Sequence, residues 1–317
     1  MAATMASAAA EPVGFRYEIM WGGFHAGDLA ITRDERGSTI LTGMSIRTVG
    51  MFDSMLRLRF AAEGGSRLAG DANPASEFYQ TRYRNKYKEQ LLRLAFRPDG
   101  EPVTVVDEVV ETFAPPPEDD EPMPPVPPET LRGAMDPLTN VAILGRKAKA
   151  ALAGGPTRFR TASFDGRRAY DFDVTVLGRR SITIRDRVYD TIALKMVLAP
   201  VAGFKERFRR LWDGAEYAVN LDTDSLLPLR IVTDSFAAST VINAIEPCRM
   251  VAEQCVNAGE KGSHRAGAKG SHSVVGMGEM RRGADRPPFA FSAADFPWWS
   301  GSDDLAGVGI DDVRRCG

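Results

Sequence analysis

The sequence predicts a mainly β protein: a single curled antiparallel sheet, an open barrel or β-spiral, with one substantial helix. Two observations predict this fold. Segments with apolar residues at every second position recur along the chain, separated by turns rich in Gly and Asp, whereas one segment alone has the pattern of a long helix. Roughly a dozen predicted strands are too many for a flat open sheet, so we expect the sheet to curl on itself.

The strands share one apolar face. "FRYEIMW" and "GDLAITR" flank Gly22 and Gly23 and predict the first hairpin, and "MLRLRFAAE" and "EQLLRLAFR" alternate apolar residues with arginine. Strands of the second half, such as "RAYDFDVTVLG" and "DTIALKMVLA", continue the alternation. Because alternate side chains point to the same side of a strand, we expect ten residues to face inward together: Leu56, Leu58, Phe60, Leu92, Leu94, Phe96, Phe172, Val174, Leu194 and Met196.

A proline-rich loop and a helix interrupt the strands within the predicted β domain, residues 14–247. Residues 111–129 hold eight of the 20 prolines together with a cluster of acids, which predicts an extended, solvated loop. Asp136 then has the position of an N-cap and Pro137 that of the first helical residue, while Gly154 and Gly155 end the run. The pattern predicts a helix over residues 138–152, packed against or plugging the concave side of the sheet.

Both ends of the chain differ from the predicted β domain. Residues 2–10 are small or apolar and include small-x-small patterns of the kind cut by signal peptidase, so we expect residues 1–13 to be the remnant of a signal peptide, with the start codon assigned too far downstream. A disordered alanine-rich terminus is the alternative. Residues 248–317 are glycine-rich and lose periodicity, which predicts a disordered tail. No later apolar run has the length of a transmembrane segment.

Composition excludes several kinds of chemistry. The chain has three histidines, of which only His25 lies in the predicted fold, so a Ser-His-Asp or Cys-His hydrolase is not expected. No phosphate-binding or dinucleotide-binding glycine motif is present, and no metal or other cofactor is predicted. The net charge of −2 does not favour binding to nucleic acid. The basic stretch "KERFRRLW" is interpreted as a solvated loop rim, with contact to anionic headgroups as the alternative.

Carboxylates and cysteines remain as candidate functional residues. A glycan hydrolase would need two paired carboxylates, and the candidates are Asp53, Asp71, Glu77, Asp136 and Asp165. Each lies at a predicted turn or cap, where Asp is ordinarily structural, so no catalytic residue is predicted. Cys248 and Cys255 directly follow the last predicted strand. They would form a disulfide in an oxidising compartment or remain free thiols otherwise.

Several motifs, taken in order, resemble a known family. "YEIMWGGFHAG", "GDANPASEF", "MDPLTNVAILG", "FDGRRAYDFDV" and "WDGAEYAVNLDTDSLLPLRI" together resemble the bacterial envelope family called domain of unknown function three-one-zero-eight, over about residues 14–246. The resemblance implies an exported protein and supplies no catalytic residue. More distantly, the strand-rich plan is similar to periplasmic lipoprotein-carrier and β-spiral proteins, an analogy of architecture alone.

Two functions follow as hypotheses, both for a periplasmic, non-enzymatic protein. The first is binding or carrying of an apolar envelope molecule such as a lipid, with the ten inward residues as its binding face. The second is a structural or assembly role through contacts with other envelope proteins. The carboxylate-based glycan hydrolase is a third, weaker alternative.

Overall fold

The computed structural model describes residues 13–68, 73–97, 100–115, 123–235, 238–251 and 254–257. Within them the strands are β1 (Val13–Trp21), β2 (Phe24–Arg36), β3 (Thr39–Thr48), β4 (Arg59–Arg67), β5 (Ala75–Arg84), β6 (Lys88–Phe96), β7 (Pro102–Thr112), β8 (Arg158–Phe164), β9 (Ala169–Ile184), β10 (Arg187–Ala202), β11 (Glu216–Asp222), β12 (Pro228–Thr233), β13 (Thr240–Val251) and β14 (Gln254–Asn257). The helices are α1 (Gly50–Leu56), α2 (Pro137–Leu152) and α3 (Glu206–Trp212), and a 3₁₀ turn covers Pro128–Leu131.

These strands form one antiparallel sheet that curls into a nearly closed barrel, which confirms the predicted fold class. The order is β7-β6-β5-β4-β3-β2-β1-β13-β12-β11-β10-β9-β8, and β14 pairs with β13. The decisive pairing joins β1 to β13, with Ile19 opposite Ile242. It places the first strand in the middle of the sheet and leaves β7 and β8 as the two edges.

Antiparallel order assigns the connections to two ends of the barrel. The end that we call the α1 end holds the β1–β2 turn, α1 between β3 and β4, and α3 between β10 and β11. The opposite end holds the β2–β3, β4–β5 and β11–β12 connections. Helix α2 lies at this end, because Arg146 approaches Glu35 near the end of β2 and Gly145 packs against Leu226 in the β11–β12 turn. We therefore call it the α2 end.

Two segments that were expected to be strand or loop are short helices. Leu56 was predicted on the same strand as Leu58 and Phe60, but it ends α1, and β4 begins only at Arg59. Arg57 has a positive φ of 49° and ends the helix, so the chain turns and still directs all three apolar side chains into the core. The stretch "KERFRRLW" was interpreted as a loop rim, but Glu206–Trp212 is helix α3, and Trp212 is buried.

Three predicted boundaries differ from the structure. The sheet continues past residue 247, since β13 extends to Val251 and β14 follows it. The predicted loop 111–129 is shorter than expected, because Thr112 still belongs to β7 and a 3₁₀ turn begins at Pro128. Val126 between them packs against the core. Helix α2 begins at Pro137, one residue before the expected start. The predicted signal-peptide remnant, apart from Val13, and the tail after residue 257 lie outside the described residues.

Candidate functional site

The structure brings the ten predicted inward residues into one hydrophobic core. Nine of them are buried, with at most 4% of their surface exposed: Leu56, Leu58, Phe60, Leu92, Leu94, Phe172, Val174, Leu194 and Met196. Phe96 is partly buried and packs against the same core. The strand alternation therefore predicted which side chains meet, except at Leu56, which reaches this core from helix α1. At these low exposures, the side chains of the protein itself cover this face.

Helix α2 supplies much of that cover. Every residue from Pro137 to Gly145 is buried, so the N-terminal half of the helix is surrounded on all sides. Leu138, Val141 and Leu144 join the same core cluster as the ten inward residues. At the other end of the barrel, Phe52 of α1 and Trp212 of α3 are buried in this cluster too. The interior is thus packed between α2 at one end and α1 and α3 at the other.

The N-terminus of α2 is held by a buried carboxylate. Asp136 Oδ1 accepts hydrogen bonds from the backbone N–H groups of Leu138 and Thr139, both at 2.9 Å, and Asp136 Oδ2 accepts one from Ser76 Oγ at 2.6 Å. A side-chain carbon at Gly64 would lie 2.7 Å from Asp136 Oδ1, so only glycine leaves room there. Burial raises the pKa of Asp136, while these hydrogen bonds oppose the shift.

A second polar group joins α2 to strand β8 inside the barrel. Asn140 Nδ2 donates to the carbonyl oxygen of Ala162 at 3.0 Å and also to Ser163 Oγ. Ser163 in turn contacts Tyr170, whose pKa is raised well above its ordinary value by burial and by the nearby charge of Asp165. Sequence reasoning missed this group. The polar residues of "RTASF" within an otherwise apolar pattern were its only signal.

The predicted carboxylate candidates occupy separate structural positions. Asp53 is bound by Arg59 at 2.6 Å, which lowers the pKa of Asp53, and Glu77 is bound by Arg67 at 2.5 Å. Asp136 caps α2. Asp165 accepts the backbone N–H groups of Arg167 and Arg168 at 2.9 and 2.8 Å, in the turn between β8 and β9. Asp71 lies outside the described residues. Each described candidate therefore has a structural partner of its own.

The buried charge of Asp165 has a nearby counter-charge. Arg168 is 5% exposed, and its guanidinium carbon lies 5.7 Å from the centroid of the Phe204 ring. Burial raises the pKa of Asp165, and the positive charge of Arg168 opposes that shift. The adjacent Arg167 reaches across to Asp107 of β7 at 2.6 Å. This turn thus ties the two edges of the curled sheet together.

The remaining candidate residues are structural as well. Cys248 and Cys255 form a disulfide that joins β13 to β14, and a side-chain carbon at Gly14 of β1 would lie 3.1 Å from Cys248 Sγ. His25 Nε2 lies 3.0 Å from Asp28 Oδ1 at the surface. Within the described ranges, no group of three or more His, Cys, Asp or Glu residues is arranged to hold a metal ion. The helices described there are too short or too polar to cross a membrane.

Comparison with known proteins identifies the family of this chain. The family model "Protein of unknown function (DUF3108)" matches residues 16–236, close to the range expected from the sequence motifs. The chain belongs to the DUF3108 family. No curated protein matches it. Among solved structures, it is similar to the crystal structure of a beta-barrel-like protein of domain of unknown function DUF1849 from Brucella abortus, at 11% sequence identity and a TM-score of 0.48. That match covers 77% of this chain and 100% of the other.

Proposed function

We propose that this DUF3108 protein is an exported, non-enzymatic component of the cell envelope that acts through contacts between its outer surface and other envelope proteins. The observation that carries the proposal is the filled interior. The face expected to bind an apolar ligand is covered by the protein's own side chains, with Leu94 and Met196 at 0% exposure and Leu138 of α2 in the same core. A barrel filled in this way is a rigid scaffold for surface contacts.

The disulfide supports the export part of the proposal. Disulfides persist in oxidising compartments such as the bacterial periplasm and are rare in the cytosol. The Ala-x-Ala patterns before β1 support the same location. The test is to express the gene from its own chromosomal locus in the native host and to fractionate the cells. We expect a cleaved, oxidised periplasmic form. An uncleaved cytoplasmic protein with free thiols at Cys248 and Cys255 would contradict export.

Binding or carrying of an apolar molecule, such as a lipid, is a second candidate, favoured by a different observation. The edge strands β7 and β8 do not pair with each other among the described residues. A barrel that is joined along this seam by side chains such as Arg167 and Asp107 can open at lower cost than one closed by a continuous backbone ladder. A ligand would then have to displace α2 from the inner face.

Native mass spectrometry discriminates between the two candidates. Protein purified from its own host without detergent should have the mass of the polypeptide alone if the interior is filled as described. A co-purified lipid, lost in a Met196→Trp variant that is still folded, would instead support the carrier. The same preparation, incubated with peptidoglycan fragments and oligosaccharides, should release no product. Turnover that is abolished by Asp136→Asn or Asp165→Asn would revive the carboxylate enzyme.

A further inference from the structure

The outer edge of strand β7 carries a concentration of exposed apolar side chains. Four of the ten large apolar residues exposed in the described structure lie within nine residues of the chain: Val105, Val109, Val110 and Phe113, at 56%, 49%, 52% and 38% exposure. From Asp107 to Phe113 every residue is exposed. A strand of an antiparallel sheet normally buries one face. This half of β7 therefore projects beyond the part of the sheet that the core covers.

β7 is also an edge strand, whose second side meets the β8–β9 turn through the contact of Arg167 with Asp107. It pairs with β6, and no strand of the described structure pairs with it on the other side. Two bulges interrupt its register, between Glu89 and Gln90 and between Arg93 and Leu94 of β6. They leave Val110 and Val105 as the extra residues of β7. Bulges twist an edge strand and hinder unspecific pairing. A strand that does not match this distorted register would therefore pair poorly with β7.

The charge of β7 and of the neighbouring sequence indicates which partner fits. Residues 98–131 of the sequence contain ten acidic residues and no Lys, Arg or His, a net charge of −10, and four of these acids, Glu101, Asp107, Glu108 and Glu111, lie on β7 or directly before it. Because the whole chain has a net charge of −2, the other residues together carry +8. On β7 itself, Arg167 compensates Asp107, while Glu108 and Glu111 are exposed beside the valines.

This charge pattern argues against two other occupants. A second copy of the chain, paired edge to edge, would bring the acidic residues of two β7 strands together, and like charges on neighbouring strands are destabilising. An anionic membrane surface would repel the same strand. A chain that alternates basic and apolar residues would instead bury the valines and face Glu108 and Glu111 with opposite charge.

We propose that the β7 edge, residues Val105–Phe113, is the docking site for an extended, basic segment of a partner protein. The inference rests on the proposed function, since it assigns a place on the surface to the protein contacts proposed there. The apolar side chains Val109 and Val110 supply buried contact area, and Glu108 and Glu111 select for Lys and Arg in the partner.

The test uses the full chain and a labelled twelve-residue peptide that alternates Lys and Val, with fluorescence anisotropy as the readout. The variant is the double reversal Glu108→Lys/Glu111→Lys. The matched control is Asp186→Lys/Asp213→Lys, which makes the same change of charge at two exposed positions away from β7. We expect the β7 reversal to weaken peptide binding by about tenfold or more, because two attractive contacts become repulsive, and the control to retain most of the affinity.

A second pair of variants tests the apolar part and guards against misfolding. Val109→Ser and Val110→Ser should each weaken binding with little change in melting temperature, because both side chains are already exposed. If the double reversal destabilises the sheet, the neutral Glu108→Gln/Glu111→Gln variant gives the same comparison. A version of the peptide with Glu in place of Lys should not bind to the wild-type protein.

Several outcomes would overturn the proposal. These are no peptide binding by the wild type, equal loss of affinity in the β7 variant and its control, or a dimer in sedimentation velocity that the β7 variant abolishes. The docking proposal and the proposed function can fail independently of each other. Co-purified lipid together with intact peptide binding would leave the docking edge in place and remove the scaffold role, whereas a lipid-free protein without peptide binding would do the reverse.

Discussion

Replacement of Asp136 by Ala should detach the N-terminus of α2 from the sheet. Its carboxylate accepts the backbone N–H groups of Leu138 and Thr139 and the hydroxyl of Ser76, in a site with 0% exposure. Loss of an N-cap costs about 1 kcal/mol, and a buried hydroxyl left without its acceptor costs about 1–3 kcal/mol. We therefore expect the free energy of unfolding to fall by about 2–4 kcal/mol.

The assay is urea denaturation followed by circular dichroism, with thermal melting in parallel. For a domain of this size, a loss of about 2–4 kcal/mol corresponds to a decrease in melting temperature of roughly 5–15 °C. Asp136→Asn should lose less than Asp136→Ala, because the amide oxygen can still accept the two backbone N–H groups. Asp213→Ala changes an exposed aspartate beside a helix and serves as the control, with little expected effect.

The Asp136→Ala variant also tests whether α2 covers the apolar interior of the barrel. If α2 covers the apolar face, its loosening should expose that face and increase the binding of a hydrophobic dye such as ANS. An Asp136→Ala protein that is as stable as the wild type, within about 0.5 kcal/mol, would refute the reasoning that this carboxylate anchors the helix. So would a large loss of stability in the Asp213→Ala control.

Three further predictions concern the core, the disulfide and pH. Met196→Trp places a larger side chain at a position with 0% exposure and should lower the free energy of unfolding by about 1–3 kcal/mol. Phe96→Trp changes a partly buried position and should lower it less. The reverse order in urea denaturation would contradict the described packing. Cys248→Ser/Cys255→Ser should lower the free energy of unfolding by up to about 2.5 kcal/mol, the loop-closure value for eight residues. A reductant should lower the stability of the wild type but not that of this variant. An equal effect of the reductant on both proteins would argue against the disulfide. Burial raises the pKa of Asp136 above its ordinary value of 3.8. The wild type should therefore lose stability relative to Asp136→Asn as pH rises from 3.8 through the raised pKa, because the folded state must then release a proton that it binds more tightly than the unfolded state does. A difference in unfolding free energy between the two proteins that stays constant with pH would show that the pKa is not raised.

Local patterns were sufficient for much of the fold. Alternation placed residues such as Leu94, Phe172 and Met196 on one inward face because the two-residue period of a strand is a local property. The Asp136–Pro137 pair located the start of α2 because capping involves only neighbouring residues. Alternation was misleading at Leu56, where a short helix ended by the left-handed Arg57 directs the same side chain inward. The period alone cannot distinguish these two routes.

The sequence by itself therefore determined the fold class, the inward side of each strand, the main helix and the family motifs. Only the tertiary structure decided that β1 pairs with β13, that α2 fills the α2 end of the barrel, that Asn140 meets Ser163, that Cys248 bonds to Cys255, and that β7 is an edge. The physical reason is the range of the interactions. A strand's periodicity reports which side is apolar but not what covers it, and that cover comes from residues far away in the chain. The hydrogen bond from Tyr17 Oη to the carbonyl oxygen of Pro228, across 211 positions, is of this kind.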